Sequence, residues 1–157
     1  MGNIKLNLKI IILIGALATL TWQNLVVAQD LTPKVIAPWE NLVDFAINQN
    51  EDYLVVTIKI LGKNQLFESK LVDGAWSELK PLEAINKHHG EGFDIEGPFI
   101  TFDGQTLFLH ANFPDSKGGF DIYYSQRNQN GWGKPINAGE IINSPDNDMY
   151  PSISPAG

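Results

Sequence analysis

The chain has 157 residues, 43% of them apolar and 18% charged, enough for one domain with a packed core. Eighteen Asp and Glu outweigh eleven Lys and Arg for a net charge of −7, which excludes a nucleic-acid binder held by phosphate contacts. Cysteine is absent, which removes disulfide frameworks, thiolate zinc sites and cysteine nucleophiles, while 14 Gly and 9 Pro point to a turn-rich β architecture.

In chain order, residues 1–28 have the layout of a secretory signal peptide. Lys5 and Lys9 precede an apolar run from Ile10 to Leu20, and Val26 and Ala28 satisfy the small-residue rule for cleavage before Gln29. A run of that length spans only about 16–20 Å as a helix, short of the roughly 30 Å bilayer core, so no membrane span is expected after cleavage. The product is expected to be periplasmic, cell-surface or secreted. Residues 29–40 read as a linker.

From residue 41 onward the sequence repeats. Phe45–Val56 (FAINQNEDYLVV) aligns without a gap on Phe99–His110 (FITFDGQTLFLH) at an offset of 54 residues, sharing an apolar run, a polar turn and a second apolar run. Gln65–Trp76 matches Asp121–Trp132 at an offset of 56, placing Ser69 on Ser125 and Trp76 on Trp132. Ala84-Ile85-Asn86 then falls on Ile141-Ile142-Asn143, and Pro98–Gly104 recurs as Pro151–Gly157. In the second copy the predicted strands are Phe99–Phe102, Thr106–Asn112, Phe120–Gln126 and a weak one near Trp132–Ile136, separated by turns at Asp103-Gly104 and Asn128–Gly131 and a loop at Phe113–Gly119. Strands such as Thr106–Ala111 are apolar on both faces, as in sheets covered on each side. Four strands per period of this length predict an all-β fold of four-stranded antiparallel β-propeller blades at 41–96 and 97–150, with the first strand of a third at 151–157. Trp76 and Trp132 are expected to be equivalent packing residues.

The segments Pro98–Gly104 with Thr106-Leu107, Gly118–Tyr123, and Trp132 with Pro135-Ile136-Asn137 resemble the WD-repeat-like β-propeller repeat of bacterial TolB-type periplasmic proteins and of exported domains in OmpA-family proteins. The first repeat is a degenerate match, with Asn50-Glu51 where the Asp-Gly turn stands and no Gly-Gly-Phe-Asp segment. This resemblance implies a protein partner in the cell envelope, or a peptidoglycan link through a downstream OmpA-like domain. Two blades cannot close a ring, so the chain reads as a piece of a longer protein; self-association of a short chain is the alternative.

Blade topology assigns the tight turns to one rim and the long connections Asn86–Glu96, Phe113–Gly119 and Asn143–Tyr150 to the other. That second rim gathers the candidate binding residues His88, His89, Asp94, Glu96, Asp115, Lys117, Asp146 and Asp148, with Glu91 beside them. No third ligand stands at metal spacing from His88-His89, and the pairs Asp94/Glu96 and Asp146/Asp148 are common by accident in acidic loops. No metal, cofactor or catalytic residue is therefore predicted. A G-x-S-x-G elbow is absent, and Arg127, the sole arginine, cannot form the arginine cluster of a sialidase. The reading is a non-enzymatic binding or scaffolding module. The alternatives are the propeller of an exported hydrolase with its catalytic part beyond residue 157, or a glycan-binding propeller using Phe93, Phe113 and Tyr150.

Overall fold

A computed structural model describes residues 41–154. The expected signal peptide, the linker and the last residues of the third repeat, 155–157, lie outside the described residues. Apart from one helical turn, the regular structure of the described part is antiparallel β-sheet, joined by many turns as the Gly and Pro content implies. In the first sheet, β1 (Leu42–Ile47), β2 (Tyr53–Ile60) and β3 (Lys63–Val72) lie side by side, and the two-residue strands β4 (Ala75–Trp76) and β5 (Lys80–Pro81) both pair with β3. After a single helical turn, α1 (Glu83–Asn86), the second sheet repeats the plan. Here β6 (Ile95–Ile100), β7 (Thr106–Ala111) and β8 (Asp121–Asn128) lie in order, and β9 (Gly131–Trp132) and β10 (Ile136–Asn137) pair with β8.

The repeat extends to individual hydrogen bonds. Trp76 pairs with Leu71 as Trp132 pairs with Arg127. The Ser69 hydroxyl donates to the Ser77 carbonyl at 2.7 Å, and Ser125 donates to the Gly133 carbonyl at 2.8 Å. Asn86 clamps both backbone groups of Leu66, accepting at 2.9 Å and donating at 2.8 Å; Asn143 clamps Ile122 at 2.8 and 3.0 Å. A buried strand backbone needs its polar groups satisfied, and one side-chain amide does this for each repeat.

Three details differ from the sequence reading. Ser69 faces Leu54 and Ser125 faces Leu107, while Val55 pairs with Ala46 and Phe108 with Phe99, so the first two strands repeat at an offset of 53 and not 54. Ala46, not Phe45, is the counterpart of Phe99. One residue of slip turns every side chain to the opposite face, and the apolar residues on both sides of these strands concealed it. The strand expected at Phe99–Phe102 is β6 at Ile95–Ile100, because Thr101 already closes the turn by donating to the Thr106 carbonyl at 2.9 Å. The weak strand near Trp132–Ile136 is two separate pairings, β9 and β10, interrupted at Gly133–Pro135, where proline has no N–H for a ladder.

Side chains alternate across each strand. Tyr53 and Val55 of β2 and Leu66 of β3 lie on one face of the first sheet, here called the front, and pack on Leu107, Leu109 and Ala111 of β7 and Tyr123 of β8, with Ile85 and Trp132 completing the cluster. By the register these β7 residues are the counterparts of Leu54, Val56 and Ile58, which form a separate cluster on the back of the first sheet with Phe67, Trp76 and Leu79. The front of one sheet thus covers the back of the next. Gly97 N–H to Asp44 Oδ2 (2.9 Å), Asn64 Nδ2 to Glu96 Oε1 (2.6 Å) and Trp132 Nε1 to the Tyr53 hydroxyl (2.6 Å) stitch the two sheets together.

The chain then begins the same path again. Asn147 Oδ1 accepts from Phe120 N at 2.9 Å as Asp94 Oδ1 accepts from Asn64 N at 3.1 Å, and Tyr150 has φ +56° where Gly97 has +61°. Close approach here needs glycine: a Cβ on Gly118 would stand 1.7 Å from the Asp146 carbonyl oxygen, and one on Gly119 2.2 Å from Asn147 Oδ1.

Candidate functional site

The loop after α1 and the loop between β7 and β8 meet above the core in a cluster of rings. Phe113 packs edge-on against Tyr123 (ring centres 5.0 Å apart), Phe93 (5.8 Å) and His88 (5.5 Å), and His88 lies 4.2 Å from His89. His89 Nε2 stands 3.1 Å from Asp115 Oδ1, which also accepts the Tyr123 hydroxyl at 2.8 Å. Ser116 Oγ is 3.0 Å from the same hydroxyl. Burial pushes the Tyr123 phenol up to about 12, and the Asp115 carboxylate adds to this. Burial also pushes His88 below the usual imidazole range, helped by the neighbouring His89. The result is an aromatic-walled cluster crossed by a chain of polar contacts, His89–Asp115–Tyr123–Ser116.

Of the eight candidates, only His88, His89 and Asp115 share that cluster. Asp94 and Glu96 stand in a second group between the sheets. Burial pushes Asp94 up, but the Lys63 ammonium at 2.8 Å, the Asn64 N–H and the Asn112 amide together hold its carboxyl below the ordinary range. Glu96 accepts from Asn64 and lies 3.8 Å from His110 Nε2. These two residues join the sheets through Lys63 and Asn64. Asp148 caps its own loop, accepting from Ser144 N at 2.6 Å and Ser144 Oγ at 3.0 Å. Asp146 and Lys117 are exposed and contribute backbone contacts. His110 is fully buried, with its Nδ1 accepting from Tyr150 N at 3.4 Å.

Two residues outside that list matter more. Asp121 is fully buried and accepts from Lys117 N (2.8 Å), Gly118 N (3.1 Å) and Asn137 Nδ2 (2.9 Å). Burial opposes ionisation, yet these donors hold its carboxyl below the usual range, so a charged group anchors the β7–β8 loop. A carboxylate opening an otherwise apolar strand, Asp121-Ile122-Tyr123-Tyr124, is the signal that could have found it. The second is Arg127, whose guanidinium sits 4.3 Å from the Tyr53 ring centre and 5.2 Å from that of Trp132.

Among the described residues no three His, Asp or Glu side chains are grouped to hold a metal ion, and no helix is long and apolar enough to cross a membrane. No family model, curated protein or solved structure matches this chain.

Proposed function

We propose that this chain is part of an exported β-propeller that serves as a non-enzymatic binding or scaffolding module in a bacterial cell envelope. The observation that carries the reading is the order of stacking, with the front of one repeat on the back of the next. Such a heterologous contact has no partner-exchanging symmetry, so each added repeat leaves another front to be covered until a ring closes. Ile85 and Ile142 support it most directly. They occupy the same place after the two sheets, yet Ile85 is completely buried by the second sheet and Ile142 is 56% exposed. Ile136, paired with Tyr124 on the front of the second sheet, is 51% exposed as well. A cover of further repeats is what that surface calls for.

Export is supported by the signal-like layout of residues 1–28, and an envelope protein partner by the resemblance of Pro98–Asn137 to TolB-type repeats. The long-loop rim around His89 and Phe93, with Phe113 buried beneath it, is the contact surface this reading favours, since loops on a rigid scaffold vary without cost to the core.

The test is to express the gene in its own cells and detect the product with an antibody against residues 100–130. Processing before Gln29, an extracytoplasmic location, and a mass well above that of residues 29–157 alone are expected. An unprocessed cytoplasmic product would sink the export reading. A soluble monomer of 157 residues by light scattering, with no dye-binding apolar surface, would sink the open propeller.

A further inference from the structure

The rim opposite the long loops carries a site that does not depend on how the ring is completed. The β1–β2 turn and the β6–β7 turn lie side by side there and are built alike. Asn48 N donates to the Tyr53 carbonyl at 3.0 Å and Thr101 N to the Thr106 carbonyl at 2.9 Å, while Glu51 N and Gly104 N return to Asn48 and Thr101 at 3.0 and 2.8 Å. Side chains pin both turns. Asn48 Oδ1 accepts from Asp52 N (3.1 Å) and Tyr53 N (2.9 Å), and Asp103 Oδ1 from Thr101 Oγ1 (2.6 Å) and Gln105 N (3.0 Å). Between them lies an open cleft of about 220 Å³.

Arg127 lines this cleft, and its placement is unusual for a lone arginine. Its guanidinium is held over the faces of Tyr53 and Trp132, and those two rings are locked to each other by the 2.6 Å bond from the indole N–H to the phenol oxygen. Among the described residues it forms no ion pair. A planar cation held by aromatic faces retains its forked donors for a carboxylate, which it binds with two parallel hydrogen bonds. The remaining lining limits what that carboxylate can belong to. Asp52 and Asp103 stand in the same cleft and outnumber its one cation, so a ligand carboxylate must engage the Arg127 fork directly and a second negative charge would meet only repulsion. The exposed amides of Gln49, Asn50 and Gln105 offer donors and acceptors suited to hydroxyl groups, and Phe102, 47% exposed, offers a face for aliphatic C–H.

We propose that the cleft between the two tight turns binds a small hydroxylated monocarboxylate of the hexuronic acid type, with its carboxylate on Arg127 and its hydroxyls on the amide side chains. The ligand class follows from a guanidinium that forms no ion pair among the described residues, two carboxylates that disfavour further negative charge, and a polar wall with an aromatic edge.

The experiment is an amide NMR titration of the full chain with sodium glucuronate, and with glucose at matched ionic strength. Glucose has the same ring hydroxyls and lacks the carboxylate. Saturable shifts at Gly104, Gln105 and Arg127 are expected for glucuronate, with glucose at least tenfold weaker. Arg127→Gln should weaken glucuronate at least tenfold, and Arg127→Lys, which keeps the charge but loses the fork, should fall between. Equal binding of the two sugars, no saturable shift, or unchanged affinity in a folded Arg127→Gln protein would each overturn the proposal. Should that variant fail to fold, the comparison of the two sugars on the native chain decides.

Discussion

The two sheets share their backbone design and differ in nearly every side chain that fills it. Ser69 and Ser125, and Asn86 and Asn143, make the same bonds to the same positions. Around them Thr57 stands where His110 does, Phe67 where Tyr123 does, and a two-residue hairpin at Leu61-Gly62 stands where the β7–β8 loop carries Phe113 and Asp115. The difference follows what each side chain faces. Polar clamps must satisfy a buried backbone in either copy, whereas core residues need only fill whatever space the neighbouring sheet leaves. In this chain the repeat is therefore conserved in its hydrogen bonds and free in its packing.

The two tryptophans should break the symmetry most visibly. Equal costs would be expected if both packed alike, but Trp132 is 6% exposed inside the inter-sheet cluster and bonded to Tyr53, whereas Trp76 is only partly buried on the back of the first sheet. Trp132→Ala should cost about 3–5 kcal/mol and Trp76→Ala about 1–2 kcal/mol by chemical denaturation. Equal losses would mean that the back of the first sheet is as well covered as the interface.

The asparagine clamps should restore the symmetry. Asn86→Asp and Asn143→Asp keep the shape and the acceptor but replace the buried donor with a charge that must be desolvated. Each should cost about 2–3 kcal/mol, within error of the other. A large cost at one position only would show that the two repeats are not held by the same device.

Much of this was legible in the sequence. Ser69/Ser125, Trp76/Trp132 and the asparagines align by eye, because residues that make side-chain bonds to the backbone cannot drift in position. Register was not legible where Leu54, Val55 and Val56 are all buried, since a strand covered on both faces has no polar marker to show which face is which. The candidate site was half legible for a related reason. Loop acids look alike in sequence, and only contacts separate Asp115, which holds His89, from Asp94, which holds Lys63. Arg127 stands out in the sequence as the sole arginine, but its two aromatic partners come from residues 53 and 132, and only folding brings them together.

A smaller effect concerns Thr57 and His110, equivalent positions on the two fronts. Burial pushes the His110 imidazole below its ordinary range, with Glu96 and Asp44 pulling the other way but not prevailing. The folded state then takes up a proton less readily than the unfolded chain, so stability is complete above about pH 6.5 and falls as pH drops toward the folded-state value, where it levels off. His110→Thr, which installs the residue of the first repeat, should flatten this decline, whose slope can reach about 1.4 kcal/mol per pH unit. His88 shifts in the same direction, so His88→Asn should remove a further, separate part. The carboxylates Asp94 and Asp121 contribute only at lower pH, because their folded-state values lie below the ordinary carboxylate range. A pH profile unchanged by His110→Thr would mean the imidazole is not buried as described.

The smallest effect is expected at the hairpin that only the first repeat has. Leu61 and Gly62 both have positive φ, +51° and +83°, and the pair Ile60–Lys63 closes a two-residue turn. That geometry suits Asn-Gly, whereas leucine meets a steric penalty there, and the Leu61 side chain is fully exposed and gains nothing from packing. Leu61→Asn should therefore stabilise the protein by about 0.5–1 kcal/mol, read as a rise in denaturant midpoint without a change in slope. The second repeat has exchanged this connection for a loop anchored by Asp121 and carrying the aromatic rim. If the first hairpin is only a connector, the gain should leave glucuronate binding unchanged; a loss of stability would show that Leu61 packs against something and that the two connections differ less than their residues suggest.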